Sequence, residues 1–242
     1  KVILAKDILE AGGTNVMPEG QFHERSKVTA PARKILCDTK IFRWGDPVAL
    51  IVADTKEHAR AAVPKVKVEV EKLPEYLTYL DAVMPDAIRV HEETPNIFAE
   101  QPVLKGVGLE DASKVGDIIE NSAHWVEGSF HSTREPHLSI EGDTVQAYFD
   151  EDGMLTFQCK SQGCYSSLGR IGNSLGVPKE NMRVIMNPTG ASFGWSTHAG
   201  DLCLAGAAAI VMQAPCALSM TYEEALLRQT LPVLFQRPSW LR

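Results

Sequence analysis

The sequence predicts an α+β fold in two parts. Three observations predict it. The first third carries an apolar strand, a helix and an alternating strand in succession. The second half carries a hairpin, a helix, a strand and a long small-residue helix. Between them lies a stretch broken by proline and glycine. A chain of 242 residues allows one large or two modest cores. With 44% hydrophobic and 23% charged residues, the composition is that of an ordinary globular protein. The formal charge of −7, with no basic stripe, argues against nucleic acid or an anionic membrane as partner.

The opening Lys1-Val2-Ile3-Leu4-Ala5-Lys6-Asp7 reads as a strand entered midway, without a signal-peptide pattern. Asp46 to Asp54 is a continuous apolar strand. Thr55 to Ala62 follows as a helix, with Asp54 or Thr55 as N-cap and Pro64 at its end. Lys65 to Glu71 alternates charge with valine, the period of a half-buried strand. These elements place a first domain at 1–84. Residues 85–123, with Pro85, Pro95, Pro102, Gly106, Gly108 and Gly116, read as a connection that wraps a surface.

A second domain is expected at 124–224. Trp125 to His131 alternates as a strand, and Asp143 to Phe149 is a second. The turn Asp150-Glu151-Asp152-Gly153 joins the latter to Met154–Cys159 as a hairpin. Tyr165 to Leu175 reads as a helix closed by Gly176, with Pro178 beyond. Met182 to Met186 is β-favouring, and Gly200 to Met212 reads as a buried helix too short to span a bilayer. Residues 225–242 form an atypical tail, Leu-rich, with Arg228, Arg237 and Arg242 and no acid.

Three places could carry chemistry. His137 and Glu141, four apart, would share a face in a helix or a strand; a structural hydrogen-bond set is the plainer reading than a metal site. Ser161-Gln162-Gly163 stands where a strand ends and a helix starts, where ligands often bind, and a glutamine there can donate to an oxo or phosphate oxygen. A helix cap is the alternative. Gly190-Ala191-Ser192-Phe193-Gly194-Trp195, between strand and helix, could aim backbone N–H groups at a planar anionic ligand beside two aromatic rings, or serve only as a packing turn. The five cysteines are scattered and form no C-x-x-C pair, which argues for a reducing compartment and against zinc or Fe–S sites in this chain. No P-loop or dinucleotide fingerprint is present.

In order, these pieces resemble one family. Asp46 to Thr55, Ala59 to Ala62 and Val68 to Pro74 are similar to the "hammerhead" α/β domain of the xanthine oxidase family, and His91 to Ile97 to its connection. His137 to Glu141, Ser161-Gln162, Val177-Pro178 and Gly190 to Gly194 are similar to the first molybdopterin-binding domain of its bacterial aldehyde oxidoreductases. The resemblance covers about residues 1–224. It implies a cytoplasmic oxidoreductase with molybdenum on molybdopterin cytosine dinucleotide, held by the cofactor's own dithiolene. No residue of this chain is then a metal ligand. It implies that Gln162, with Gly163 beside it, donates to an apical oxo group. It implies that the loop Gly190, Ala191, Ser192, Phe193, Gly194 and Trp195 approaches the remaining oxygens and the pterin.

The family's catalytic glutamate lies far downstream, so the catalytic residues of this chain are unknown and the chain alone is expected to be inactive. The Fe–S clusters belong to other domains. The expected partners are an aldehyde, an Fe–S domain or subunit, a second molybdopterin domain and a second copy of the chain. A non-catalytic molybdopterin-binding or assembly subunit, or a truncated remnant, is the alternative. Three departures stand out. Asp46 replaces the usual glutamine of Gly-Gln-Pro, Ala191 replaces the second glycine of Gly-Gly-x-Phe-Gly, and Thr197 stands where purine-oxidising members place an acid. The last favours an aldehyde over a purine.

Overall fold

The computed structural model describes residues 1–17, 31, 33–97, 113–126, 128, 139–194 and 199–227. These form two compact units, one drawn from Lys1–Gly20, Pro31–Asn96 and His137–Gln229, the other from Gln21–Ala30, Ile97–Pro136 and Thr230–Arg242. The first unit holds three small sheets and most of the helices.

Its N-terminal part starts with β1 (Val2–Ile3) and α1 (Ala5–Glu10). The expected opening strand therefore stops early. Asp7 accepts the Leu4 backbone N–H at 2.8 Å, and this cap turns the chain into a helix. Next come β2 (Val16–Met17), β3 (Arg33–Lys34) and β4 (Leu50–Ile51), pairing β1 with β4 and β2 with β3, both antiparallel. The continuous strand expected over 46–54 is reduced to β4. Asp46 is spent on a turn, accepting the N–H groups of Phe42 and Arg43 at 3.2 and 3.1 Å and the Arg43 guanidinium at 2.9 Å. Pro47 has no N–H to give a ladder. Fully buried Asn15 extends the β2–β3 pairing with its side chain, donating to the Leu36 carbonyl at 2.9 Å and accepting the Leu36 N–H at 3.0 Å. It occupies the left-handed region, φ 55, which asparagine tolerates better than most residues.

Helix α2 (Lys56–Ala62) is capped by Thr55, whose hydroxyl accepts the His58 N–H at 3.1 Å, and Pro64 turns it into a 3-10 helix at Val63–Lys65. No α2 residue is buried, so the cap carries an unusual share of its stability. Thr55→Ala is expected to cost about 1 kcal/mol and to speed amide exchange through α2 selectively. Hydrogen exchange read residue by residue checks this. The strand expected over 65–71 does not form: Val68 and Val70 are 51% and 68% exposed. An alternating pattern specifies a strand only if a neighbouring strand receives its face, and no described residue pairs with this one. A short α3 (Tyr79–Ala82) follows. Asn96 then ties down 82–90, donating to Ala82 and Ile88 and accepting the Val90 N–H.

In the second unit the described element is α4 (Lys114–Glu120), a helix inside the stretch read from the sequence as a connection that wraps a surface. Trp125 and Val126 are not in a strand, and the rest of the strand expected at 125–131 lies almost wholly outside the described residues, as does most of the tail.

The C-terminal part of the first unit is a four-stranded sheet. Strands β5 (Thr144–Phe149) and β6 (Leu155–Cys159) form the expected hairpin, and β7 (Met182–Met186) lies parallel to β6 across the crossover helix α5 (Cys164–Leu175). Strand β8 (Cys216–Ser219), not foreseen from the sequence, closes the order β7-β6-β5-β8. Helix α6 (Gly200–Met212) packs on this sheet, and α7 (Tyr222–Leu227) follows. The small residues of α6 let it lie close: a Cβ on Gly206 would meet Phe157 at 2.9 Å and Leu175 at 2.6 Å. Phe157, Leu155, Ile171 and Cys203 are fully buried there.

Candidate functional site

Parallel neighbours β6 and β7 bring the two suspected loops to one edge. The ladder continues beyond them, since the Asn187 N–H donates to the Cys159 carbonyl at 2.8 Å and Gln158 donates to the Asn187 side chain at 3.1 Å. The chain segments 160–163 and 187–194 therefore leave the sheet side by side, outside the carboxyl ends of two parallel strands.

Ser161 is buried and its hydroxyl accepts the Gly163 N–H at 3.1 Å, which shapes the entry to α5. Gln162 is exposed, and its amide oxygen accepts the hydroxyl of buried Ser192 at 2.9 Å. With the oxygen so committed, the –NH2 is the end of the amide left to donate, and it has no partner among the described residues. Gln162 and the 190–194 loop, read separately from the sequence, are thus joined by a direct bond.

The Gly190 and Ala191 N–H groups are engaged within the chain. Both donate to one oxygen of Glu141, at 2.7 and 3.1 Å. The Ala191 N–H, then the Gly190 N–H and the nearby Lys160 ammonium, hold the Glu141 carboxyl below the usual carboxylate range. Glu141 is thus the acceptor of a structural hydrogen-bond set, while His137 lies outside the described residues. Phe193 and Gly194 follow at φ 51 and φ 88, two successive residues in the left-handed region. For a phenylalanine this costs about 1–3 kcal/mol, a strain of the kind that clusters at active sites, ligand clamps and switch regions. The residue is 79% exposed. Trp195 and Thr197 lie outside the described residues.

Sequence reasoning missed Lys160 and Asp143. Both are buried and paired at 3.0 Å, and the Lys160 ammonium also donates to the Glu141 carbonyl at 2.9 Å. A lysine directly after an uncharged strand, Leu155–Cys159, was the available signal, because a buried charge requires a partner.

As a site for molybdopterin, the donor set fits in part. It offers a fixed amide donor, an exposed phenylalanine and an open glycine: nothing lies within 4 Å of a Cβ placed on Gly194. The Gly190 and Ala191 amides are already engaged. Among the described residues no group of three or more His, Cys, Asp and Glu side chains could hold a metal ion. No helix among the described residues is long and apolar enough to cross a membrane.

Loops outside the carboxyl ends of parallel strands are a common place for ligands, and the comparisons with known proteins give the class. Residues 90–231 match the molybdopterin cofactor-binding domain, and residues 2–74 match the a/b hammerhead domain of aldehyde oxidase and xanthine dehydrogenase. The chain belongs to this molybdopterin-binding aldehyde oxidase and xanthine dehydrogenase family. It is 38% identical over 192 residues to an aldehyde oxidoreductase of Megalodesulfovibrio gigas, covering 79% of this chain and 20% of that protein. It is 30% identical over 159 residues to a nicotinate dehydrogenase large molybdopterin subunit of Eubacterium barkeri, covering 66% of this chain and 36% of that one. Among solved structures, the aldehyde oxidoreductase from Desulfovibrio gigas superposes with a TM-score of 0.82 at 35% identity, over 93% of this chain and 24% of that one. The chain thus spans between a fifth and about a third of the length of these relatives.

Proposed function

We propose that the chain is the cofactor-contacting part of a molybdenum hydroxylase that oxidises aldehydes to carboxylic acids with water as the oxygen donor. The observation that carries this is the polarity of Gln162: Ser192 takes its oxygen and leaves its –NH2 to donate beside the strained Phe193–Gly194 turn. The aldehyde is favoured by the relation to an aldehyde oxidoreductase at 38% identity against 30% for the nicotinate enzyme.

When bound, molybdopterin cytosine dinucleotide supplies the metal that takes up the two electrons released as R–CHO and H2O become R–COOH and two protons. This chain's residues bind and orient. Gln162 donates to an acceptor oxygen of the cofactor, and Gly163, Ser192, Phe193 and Gly194, with Trp195 beyond, line the approach. Gly190 and Ala191 set the loop's course. We place the hammerhead domain at 1–84, the connection at 85–123 and the molybdopterin domain at 124–224. The catalytic glutamate, the second molybdopterin domain and the Fe–S clusters belong to the rest of a cytoplasmic assembly.

Molybdenum analysis, pterin absorbance and nucleotide release on denaturation test the reading, together with aldehyde-dependent dye reduction. Bound pterin with cytosine nucleotide and no turnover is the expected result. Turnover by these 242 residues alone, or purified chain devoid of pterin after expression with an intact cofactor pathway, overturns it.

A further inference from the structure

We propose that Glu141 is a positioning residue: its carboxylate clamps the Gly190–Ala191 backbone so that Ser192 holds the Gln162 amide with its –NH2 left for a ligand oxygen. The inference rests on the proposed function only for the identity of that ligand.

One oxygen of Glu141 receives two consecutive backbone N–H groups, at 2.7 and 3.1 Å, so both peptide planes are fixed relative to a single point. The next residue is Ser192, only 4% exposed, whose hydroxyl reaches Gln162 at 2.9 Å. A Cβ at residue 190 would lie 3.3 Å from the same oxygen, a tight contact that a shift of a few tenths of an ångström in the carboxylate would relieve. Glu141 is itself anchored through its backbone carbonyl, which accepts the Ser139 hydroxyl at 2.8 Å and the Lys160 ammonium at 2.9 Å. Lys160 is in turn held by Asp143 at 3.0 Å. A route of short contacts thus runs from Asp143 through Lys160, Glu141, Gly190–Ala191 and Ser192 to Gln162. Bonds to an ionised carboxylate are roughly twice as strong as neutral ones, and the clamp's strength therefore depends on the charge of Glu141.

The sequence suggested that the Gly190 and Ala191 donors face an anionic ligand. In the structure the anion is supplied by the chain itself. The consequence is a division of labour: the loop's first two amides build the site, and Gln162 meets the ligand.

Among the described residues, the charged groups facing Glu141 are Lys160 and, through it, Asp143. Because the Glu141 carboxyl is held below its ordinary value in the folded chain, the clamp is complete above the ordinary glutamate range. It is lost as pH falls through the lower folded value.

The test is nuclear magnetic resonance on the 242-residue chain, following the Gly190 and Ala191 amide protons and the two Gln162 side-chain NH2 protons against pH. The expected result is one shared titration below the ordinary glutamate range. Glu141→Gln, which keeps a carbonyl acceptor but not the charge, abolishes the titration and holds the Gln162 protons near the positions that the parent chain reaches at low pH. Glu141→Ala moves them to the positions seen in Ser192→Ala. Gly190 and Ala191 amides that do not titrate overturn the proposal. So do Gln162 protons indifferent to Glu141→Ala. The same samples are then denatured and scanned for pterin. A pterin-free chain with the coupling intact upholds the clamp and sinks the proposed function instead.

Discussion

Asp143→Ala is expected to lower the free energy of unfolding by about 3–5 kcal/mol, the cost of stranding a buried charge. The Asp143 and Lys160 side chains are 5% and 6% exposed, and their charged atoms lie 3.0 Å apart. Truncating Asp143 leaves the Lys160 ammonium out of water, with the Glu141 carbonyl as its remaining described acceptor. A neutral carbonyl compensates an ammonium poorly. Asp143→Asn keeps an acceptor and is expected to cost less. The decisive comparison is the double replacement Asp143→Leu with Lys160→Met, which removes both charges and fills similar volume. It is expected to return most of the lost stability, since a buried pair is worth little over an apolar isostere while half a pair is costly. Urea unfolding followed by circular dichroism reads all three. If Asp143→Ala costs under about 1 kcal/mol, the pair is better solvated than its burial indicates.

That pair also marks the limit of what the sequence discloses. The β5–β6 hairpin was legible because Asp150 to Gly153 specifies a turn and both flanks have β-favouring composition. Helix α5 was legible from its terminator, Gly176, which sits at φ 72. These are local signals, written within a few residues of the element they define. The bond between Ser192 and Gln162 spans thirty positions, and that between Glu141 and Gly190 forty-nine. Such contacts exist only after β6 and β7 have paired in parallel, so no periodicity announces them. The valines at 66, 68 and 70 show the converse error. Their alternation is a local signal of strand, but exposed Val68 and Val70 have no described sheet to cover. Strand β8 was missed for a related reason: Cys216–Ser219 is four residues at a sheet edge, directly after Pro215, and its register comes from β5.

Gly176→Ala is expected to cost about 2–5 kcal/mol, from two separable causes. The first is conformational. Gly176 ends α5 in the left-handed region, with its N–H donating to the Gly172 carbonyl, and a Cβ there costs about 1–2 kcal/mol. The second is steric. The added Cβ would lie 2.1 Å from the Gly12 carbonyl oxygen and 2.8 Å from its carbon, both backbone atoms that cannot rotate away. Relief requires the turn after α1 to part from the end of α5. That seam is held by the Thr14 N–H on the Ser174 carbonyl at 2.9 Å and by the Thr14 hydroxyl on the Asn173 carbonyl at 3.2 Å. Gly153→Ala is the control that separates the causes. Gly153 has nearly the same backbone, φ 76, but nothing lies within 4 Å of its added Cβ. Its cost is expected to be the conformational share alone, about 1–2 kcal/mol. The excess of Gly176→Ala over Gly153→Ala then measures the contact between the two halves of this unit. Equal losses at the two positions would mean that the seam yields without cost, and that the N-terminal α/β part and the C-terminal sheet are joined more loosely than their shared hydrogen bonds imply.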